Sequence, residues 1–225
     1  MTKAKHWVGK DRRLEVTSGG IILSRNGIIG NVGDDGVCEG TTAGELYLPN
    51  RGYIWEINGD GENLDGQIWD KLVAPEGVSF AAVNKGTARV ILGGDQRGIE
   101  KDVTVNAGTL QLGNDTVGCQ LGDVELRIVG ATSKLKVMPA SARGLRNTKI
   151  VLRDTAGYPG KLELPADETV VLKGLVVEDD NGVQKPVRPG VYAAELGKGV
   201  DYVDAHLVGS GRVRVPSPAL VVVIR

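Results

Sequence analysis

The stretch "DVTVNAGTLQLGND", Asp102 to Asp115, holds two short alternations of apolar and polar residues, parted by a corner of small residues, Asn106-Ala107-Gly108. Val103, Val105, Leu110 and Leu112 fall on one side of the two strands so predicted. Thr104, Thr109 and Gln111 fall on the other. A period of two marks a strand with one face buried and one solvated. The pattern returns downstream. "VELRI" (124–128) and "KLKV" (134–137) flank a turn at Gly130 and Ser133, and "KIVL" (149–152) and "KLEL" (161–164) flank one at Gly157 to Gly160. "TVVL" (169–172) and "GLVV" (174–177) form a further pair, "RVIL" (89–92) precedes the opening stretch, and "GRVRV" (211–215) stands near the end.

The leading residues of these strands form two series: Val103, Leu126 and Ile150, then Leu110, Leu135 and Leu162. Each advances by a little over twenty residues, roughly the period of a repeat architecture in which stacked units bury a common core. The outward set includes Glu125, Arg127, Lys134, Lys136, Lys149, Lys161 and Glu163. No window shows sustained helical periodicity with a cap and a stop. The fold expected is all-β, a right-handed β-solenoid (parallel β-helix) with an inserted hairpin. A β-sandwich or jelly roll is the alternative, since it too is built of short strands and frequent turns. Asn181-Gly182, between alternating segments, predicts the hairpin, with a type I′ turn. Residues 1–75 are the least regular and read as an N-terminal capping region. Residues 76–225 read as solenoid repeats ending in a capping strand, Ala219–Ile224.

Composition agrees with short strands and tight turns. Of 225 residues, 33 are glycine and only 4% are aromatic, while 41% are hydrophobic, enough for a packed core. A net charge of −1 argues against nucleic acid or an anionic membrane surface as a general partner. No apolar run approaches the roughly 18 residues of a membrane helix, so no membrane insertion is expected. The first residues lack the apolar core of a signal peptide. Cys38 and Cys119 are far apart in sequence, which leaves one disulfide or two buried thiols, the second being the simpler reading.

"VTVNAGTLQLGND" (103–115) resembles the autotransporter-associated β-strand repeat, in which an alternating strand meets a small-residue corner, Thr-Leu and a second strand. "GYIWEINGDGENLDGQIWDKLVA" (52–74) is similar to a segment found beside such repeats. "RPGVYAAEL" (188–196) with "DAHLVGSGRVRV" (204–215) looks like their closing unit. The resemblance implies a β-helical stalk or passenger segment of a large exported bacterial protein, secreted or at the cell surface as part of a longer chain. It supplies no catalytic residues.

Candidate sites follow from residue types. Glu56, Asn58, Asp60 and Glu62, at alternate positions around Gly61, could offer oxygens to calcium, although Gln67 stands where a calcium loop places a bidentate acid and the lead-in is strand-like. Otherwise no cofactor is expected. Arg127, Lys134, Lys136, Lys149 and Lys161, with Arg153, would form cationic ladders able to bind an acidic glycan or cell-surface polymer. The simpler reading is an ordinary solvated face, since Glu125, Asp154 and Glu163 interrupt the stripe and the net charge is near zero. Tyr53, Trp55 and Trp69 could make a sugar platform, but aromatics at alternate positions are expected to pack in the core. Asp34-Asp35 with Glu39, and Glu178-Asp179-Asp180, read as solvated turns, because adjacent strand residues point to opposite faces. His6 and His206 have no local metal-pair spacing. The function expected is therefore a non-catalytic structural or interaction module: stalk, passenger or adhesin segment. A carbohydrate-binding module and a β-helical polysaccharide lyase or glycoside hydrolase are the alternatives. Bare solenoid ends would add end-to-end self-association.

Overall fold

Alternating strands that recur at a near-constant spacing can each pair with their counterpart one repeat away, so that the repeats bury a shared core. The computed structural model, which describes residues 5–6, 8–9, 11–18, 20–24, 27–30, 44–57, 65–83, 89–130, 132–154 and 159–217, has this arrangement. The protein is all-β and its sheets are mostly parallel. The first sheet stacks Gly20–Ser24, Gly52–Ile57, Val78–Val83, Asp102–Ala107, Glu125–Ile128, Lys149–Asp154 and Gly174–Asp179 in chain order, all parallel. The second stacks Lys5–His6, Ile28–Ile29, Gly66–Ile68, Arg89–Leu92, Thr109–Leu112, Lys134–Val137, Lys161–Glu163 and Leu207–Val208.

Smaller sheets take the strand that follows every second-sheet strand but Lys134–Val137. They are Arg13–Glu15 with Glu45–Tyr47 and Lys71–Val73, Gly94–Asp95 with Cys119–Gln120, and a four-stranded sheet containing Thr169–Val171 and Arg212–Val215. From Val78 to Asp179 the chain thus visits the first sheet, the second sheet and this third side in rotation. In the round after Lys134–Val137 a 3-10 turn, Pro139–Ser141, replaces the third strand. Both large sheets run unbroken from strands before residue 75 to strands after it.

The two predicted series are ladders in register. Val103 pairs with Leu126, Leu126 with Ile150 and Ile150 with Leu175. Leu110 pairs with Leu135, Leu135 with Leu162 and Leu162 with Leu207. All eight side chains are buried in one continuous core, each worth roughly 1.5–3 kcal/mol of apolar transfer. The corner in the opening stretch is a β-bulge: Val105 pairs with Phe80 and Ala107 with Ala81, which leaves Asn106 over. Gly108 then takes φ +67°, and a Cβ there would lie 2.5 Å from the Ala82 carbonyl oxygen, so only glycine fits.

Two of the residues expected to face solvent are buried. Thr104 is covered by Arg51, whose guanidinium lies across the outer face of the first sheet. It donates to Asp102 Oδ1 and Oδ2 (2.8 and 2.7 Å), to Thr104 Oγ1 (3.0 Å) and to Ser79 Oγ (3.1 Å). Gln111 is buried on the second sheet and donates to the Gly113 carbonyl at 2.8 Å. The hairpin is present, with Gly174–Asp179 and Gln184–Pro186 antiparallel, but its turn is not type I′. Only Gly182 has positive φ (+77°), and its N–H donates to the Asp179 carbonyl at 2.9 Å. This is a type I turn closed by a glycine bulge, locked by Asp179 Oδ1 accepting from the Asn181 and Val183 amides. Near the C-terminal end Gly190–Ala193 and Arg212–Val215 pair antiparallel, and Tyr192 stacks on Tyr202 with centroids 4.9 Å apart. Ala219–Ile224 lies outside the described residues.

Candidate functional site: an outward-facing aromatic strip

The strand Gly52–Ile57 has two faces of very different character. Tyr53, Trp55 and Ile57 form one; Gly52, Ile54 and Glu56 form the other. Apolar content alone would bury the first. The structure buries the second, with Ile54 fully covered and Glu56 only 1% exposed, because the register sets the parity: Ile54 pairs with Phe80, which is in the core, and Leu23 with Glu56. Tyr53 and Trp55 are therefore on the outer face, each nearly half exposed, which corrects the expectation that they pack inside. Trp55 pairs with Ile22 on one neighbouring strand and Ala81 on the other, and Ile57 pairs with Val83. Ile22 is 66% exposed and Val83 55%. Neighbouring strands lie about 4.8 Å apart, so Ile22, Tyr53, Trp55, Ile57 and Val83 make one apolar strip across three parallel strands.

Beneath the strip the Glu56 carboxyl is pushed up to about 7 by burial, with the Asp65 carboxylate adding to the effect. Burial also raises Asp65, against the pull of Arg89, which donates to it at 3.1 Å. Asn58, Asp60 and Glu62, the partners proposed for Glu56 in a calcium loop, lie outside the described residues, as do Asp34, Asp35, Cys38 and Glu39. Glu56 itself points into the protein.

Trp69 does not join the strip. It is buried against Ile28 and Ile91, with Val117 packed on the cluster, and its Nε1 donates to Gln67 Oε1 at 2.9 Å. The cationic residues do not form one stripe. Arg127 and Lys149 stand on the first sheet; Lys134, Lys136 and Lys161 stand on the second. Glu163 takes Lys134 and Lys136 at 3.0 and 2.8 Å. Glu125 takes Lys149 at 2.8 Å, and Arg127 reaches Glu178 at 2.6 Å. Lys161 donates to the Ala205 carbonyl at 2.7 Å. Burial raises Glu163 and Glu178, but Lys136 and Lys134 on one, and Gln184 and Arg127 on the other, more than offset it and hold both carboxyls below their ordinary range. The outer faces here are a lattice of alternating charge.

The remaining chemistry-bearing residues are structural in geometry. His206 Nδ1 lies 2.7 Å from Asp204 Oδ1 and its Nε2 lies 3.6 Å from Asp154, and the Asp204 hydrogen bond raises the imidazole against burial. Cys119 is a buried thiol pushed far up by burial, which makes it unreactive. Among the described residues no group of three or more His, Cys, Asp and Glu is placed to hold a metal ion. The sequence offers Tyr53 and Trp55 as a platform only together with Trp69 and as the lesser reading, and it does not join them to Ile22, Ile57 and Val83. The signal of the strip was present as three large apolar residues at alternate positions with a glutamate in the opposite parity. Comparison of the chain with protein-family models, with curated proteins and with solved structures finds no match.

Proposed function

We propose that the chain is a right-handed β-solenoid, three strands to a rung, and that it serves as a non-catalytic interaction segment of a secreted or surface-attached bacterial protein. The rotation of strands among three sides supports the solenoid, the in-register Val/Leu/Ile ladders support stacked rungs, and the right hand follows from the preference of parallel crossovers. The resemblance to the autotransporter-associated β-strand repeat supports the setting. One observation carries the binding role: a strand turns its aromatic residues to solvent and a glutamate to the core. Contiguous exposed apolar surface on an otherwise well-packed sheet marks an interaction site, and local conflict with the folding pattern is expected where function has a claim on the residues.

The ligand class is a neutral glycan. Tyr53 and Trp55 stand two residues apart on one strand, so their Cα atoms are about 6.6 Å apart along it, and aromatic faces stack on the C–H faces of sugar rings. The test is retention of the purified protein on a panel of neutral polysaccharides, with a Tyr53→Ala/Trp55→Ala double variant alongside. Saturable binding that weakens at least roughly tenfold in the variant is expected, as for loss of desolvated aromatic anchors. No binding by the parent protein, or equal binding by the variant, would remove this reading.

A further inference from the structure

We propose that the third side of the protein carries a second binding site, a cationic trough for an acidic polysaccharide chain. It lies where the third side is interrupted, between the Gly94–Asp95 and Cys119–Gln120 strands and the segment that follows the Pro139–Ser141 turn, and encloses about 900 Å³. Lys71, Arg97, Arg143 and Arg146 line it, and among the described residues the one lining carboxylate is Asp95. The protein as a whole carries a net charge of −1, so this concentration of positive charge is local.

The four cations differ in what holds them. Lys71 is paired with Glu45 at 3.0 Å, and Arg97 with Asp95 at 2.7 Å. Arg143 and Arg146 are exposed, and neither guanidinium has a hydrogen bond or ion pair among the described residues. They are presented by a built segment. Ala142, Leu145 and Thr148 point inward and are buried, so a period of three leaves Arg143 and Arg146 outward. Ser141 pins the start of the segment, its Oγ donating to the Leu112 carbonyl and accepting from the Cys119 amide, both at 2.8 Å. The Leu121 amide donates to the Gly144 carbonyl at 3.1 Å. A Cβ at position 144 would lie 2.0 Å from the Cys119 carbonyl oxygen, so the backbone there is held against the neighbouring rung.

Two free guanidinium forks on a rigid backbone suit planar or tetrahedral oxyanions, which they hold bidentately. Between the charged groups the trough is lined by the exposed side chains of Thr116, Gln120 and Asn147, which can hydrogen-bond sugar hydroxyls. Nucleic acid fits less well. Its single strands are held by exposed aromatic rings on which bases stack, whereas Trp69 is buried and Tyr53 and Trp55 stand on another sheet.

The site is independent of the aromatic strip, and the experiment keeps the two apart. Heparin (sulfated), polygalacturonate (carboxylated) and a single-stranded oligonucleotide are titrated against the parent protein, the Arg143→Ala/Arg146→Ala variant, the Arg143→Lys/Arg146→Lys variant and Trp55→Ala. The expected result is saturable binding to heparin or polygalacturonate that falls roughly tenfold or more in the alanine variant, as for two lost charge-assisted contacts. Binding should be partly kept in the lysine variant and unchanged in Trp55→Ala. Which polymer binds identifies the anion as sulfate or carboxylate, and the lysine variant carries the test if the alanine variant fails to fold. No binding to either polymer, equal affinity in the parent and both arginine variants, or tighter binding to the oligonucleotide would overturn the proposal.

Discussion

The first sheet has two halves with the same backbone and opposite surfaces. In its last strands, from Glu125 to Asp179, the outer face carries Arg127, Lys149, Glu125 and Glu178 tied into ion pairs. In its first strands, from Gly20 to Val83, the outer face carries Ile22, Tyr53, Trp55, Ile57 and Val83. The core beneath is continuous, so stacking does not require either surface. A parallel ladder fixes spacing and parity and leaves the outward residues free to be chosen for other reasons. Charged lattices blunt a sheet against association; a bare aromatic strip invites it.

The comparison breaks most sharply in the core. Leu126→Ala, in the middle of a ladder, should cost about 2–5 kcal/mol in denaturant unfolding, whereas Trp55→Ser should shift stability by no more than about 0.5 kcal/mol. Comparable losses in the two would mean that the strip is packed rather than presented. Glu56→Gln sharpens the difference between the halves. The Glu56 carboxyl has a folded pKa above its ordinary value, so the unfolded chain gives up the proton first and stability falls as pH rises from about 4.5 to 7. The glutamine variant should therefore gain on the order of 1 kcal/mol, after allowing for screening, at pH 8 relative to pH 4. A pH-independent difference between the two proteins would place the charge elsewhere. Trp55→Ser is the smallest effect on stability, and it should nonetheless lower retention on neutral polysaccharide.

The ladders were legible because their residues obey a single rule. Val103, Leu126 and Ile150 repeat at nearly constant spacing with period-two neighbours, and the structure stacks them in that register. The hairpin was legible from Asn181-Gly182, but its turn type was not, because Asp179 supplies a side-chain acceptor that selects a different backbone path. The faces of the Tyr53 strand misled because local hydrophobicity and pairing register disagree there, and register is a property of neighbours. Charge pairing was hidden for a similar reason: Arg127 meets Glu178 two strands away. The trough escaped notice because Arg143 and Arg146 sit in a segment with a period of three, neither strand nor helix.

Arg51 ties three consecutive strands at once, since its single guanidinium reaches Ser79, Asp102 and Thr104 from the head of the strand at Gly52. Stacked repeats ordinarily feel only their immediate neighbours, which lets such a protein fray one unit at a time. A clasp that skips a unit removes that freedom. Under tension, or during thermal fraying from the N-terminal side, the Gly52 strand cannot detach without also releasing its hold on the strand two places on. The protein should therefore yield there in a larger step than the size of one repeat would suggest.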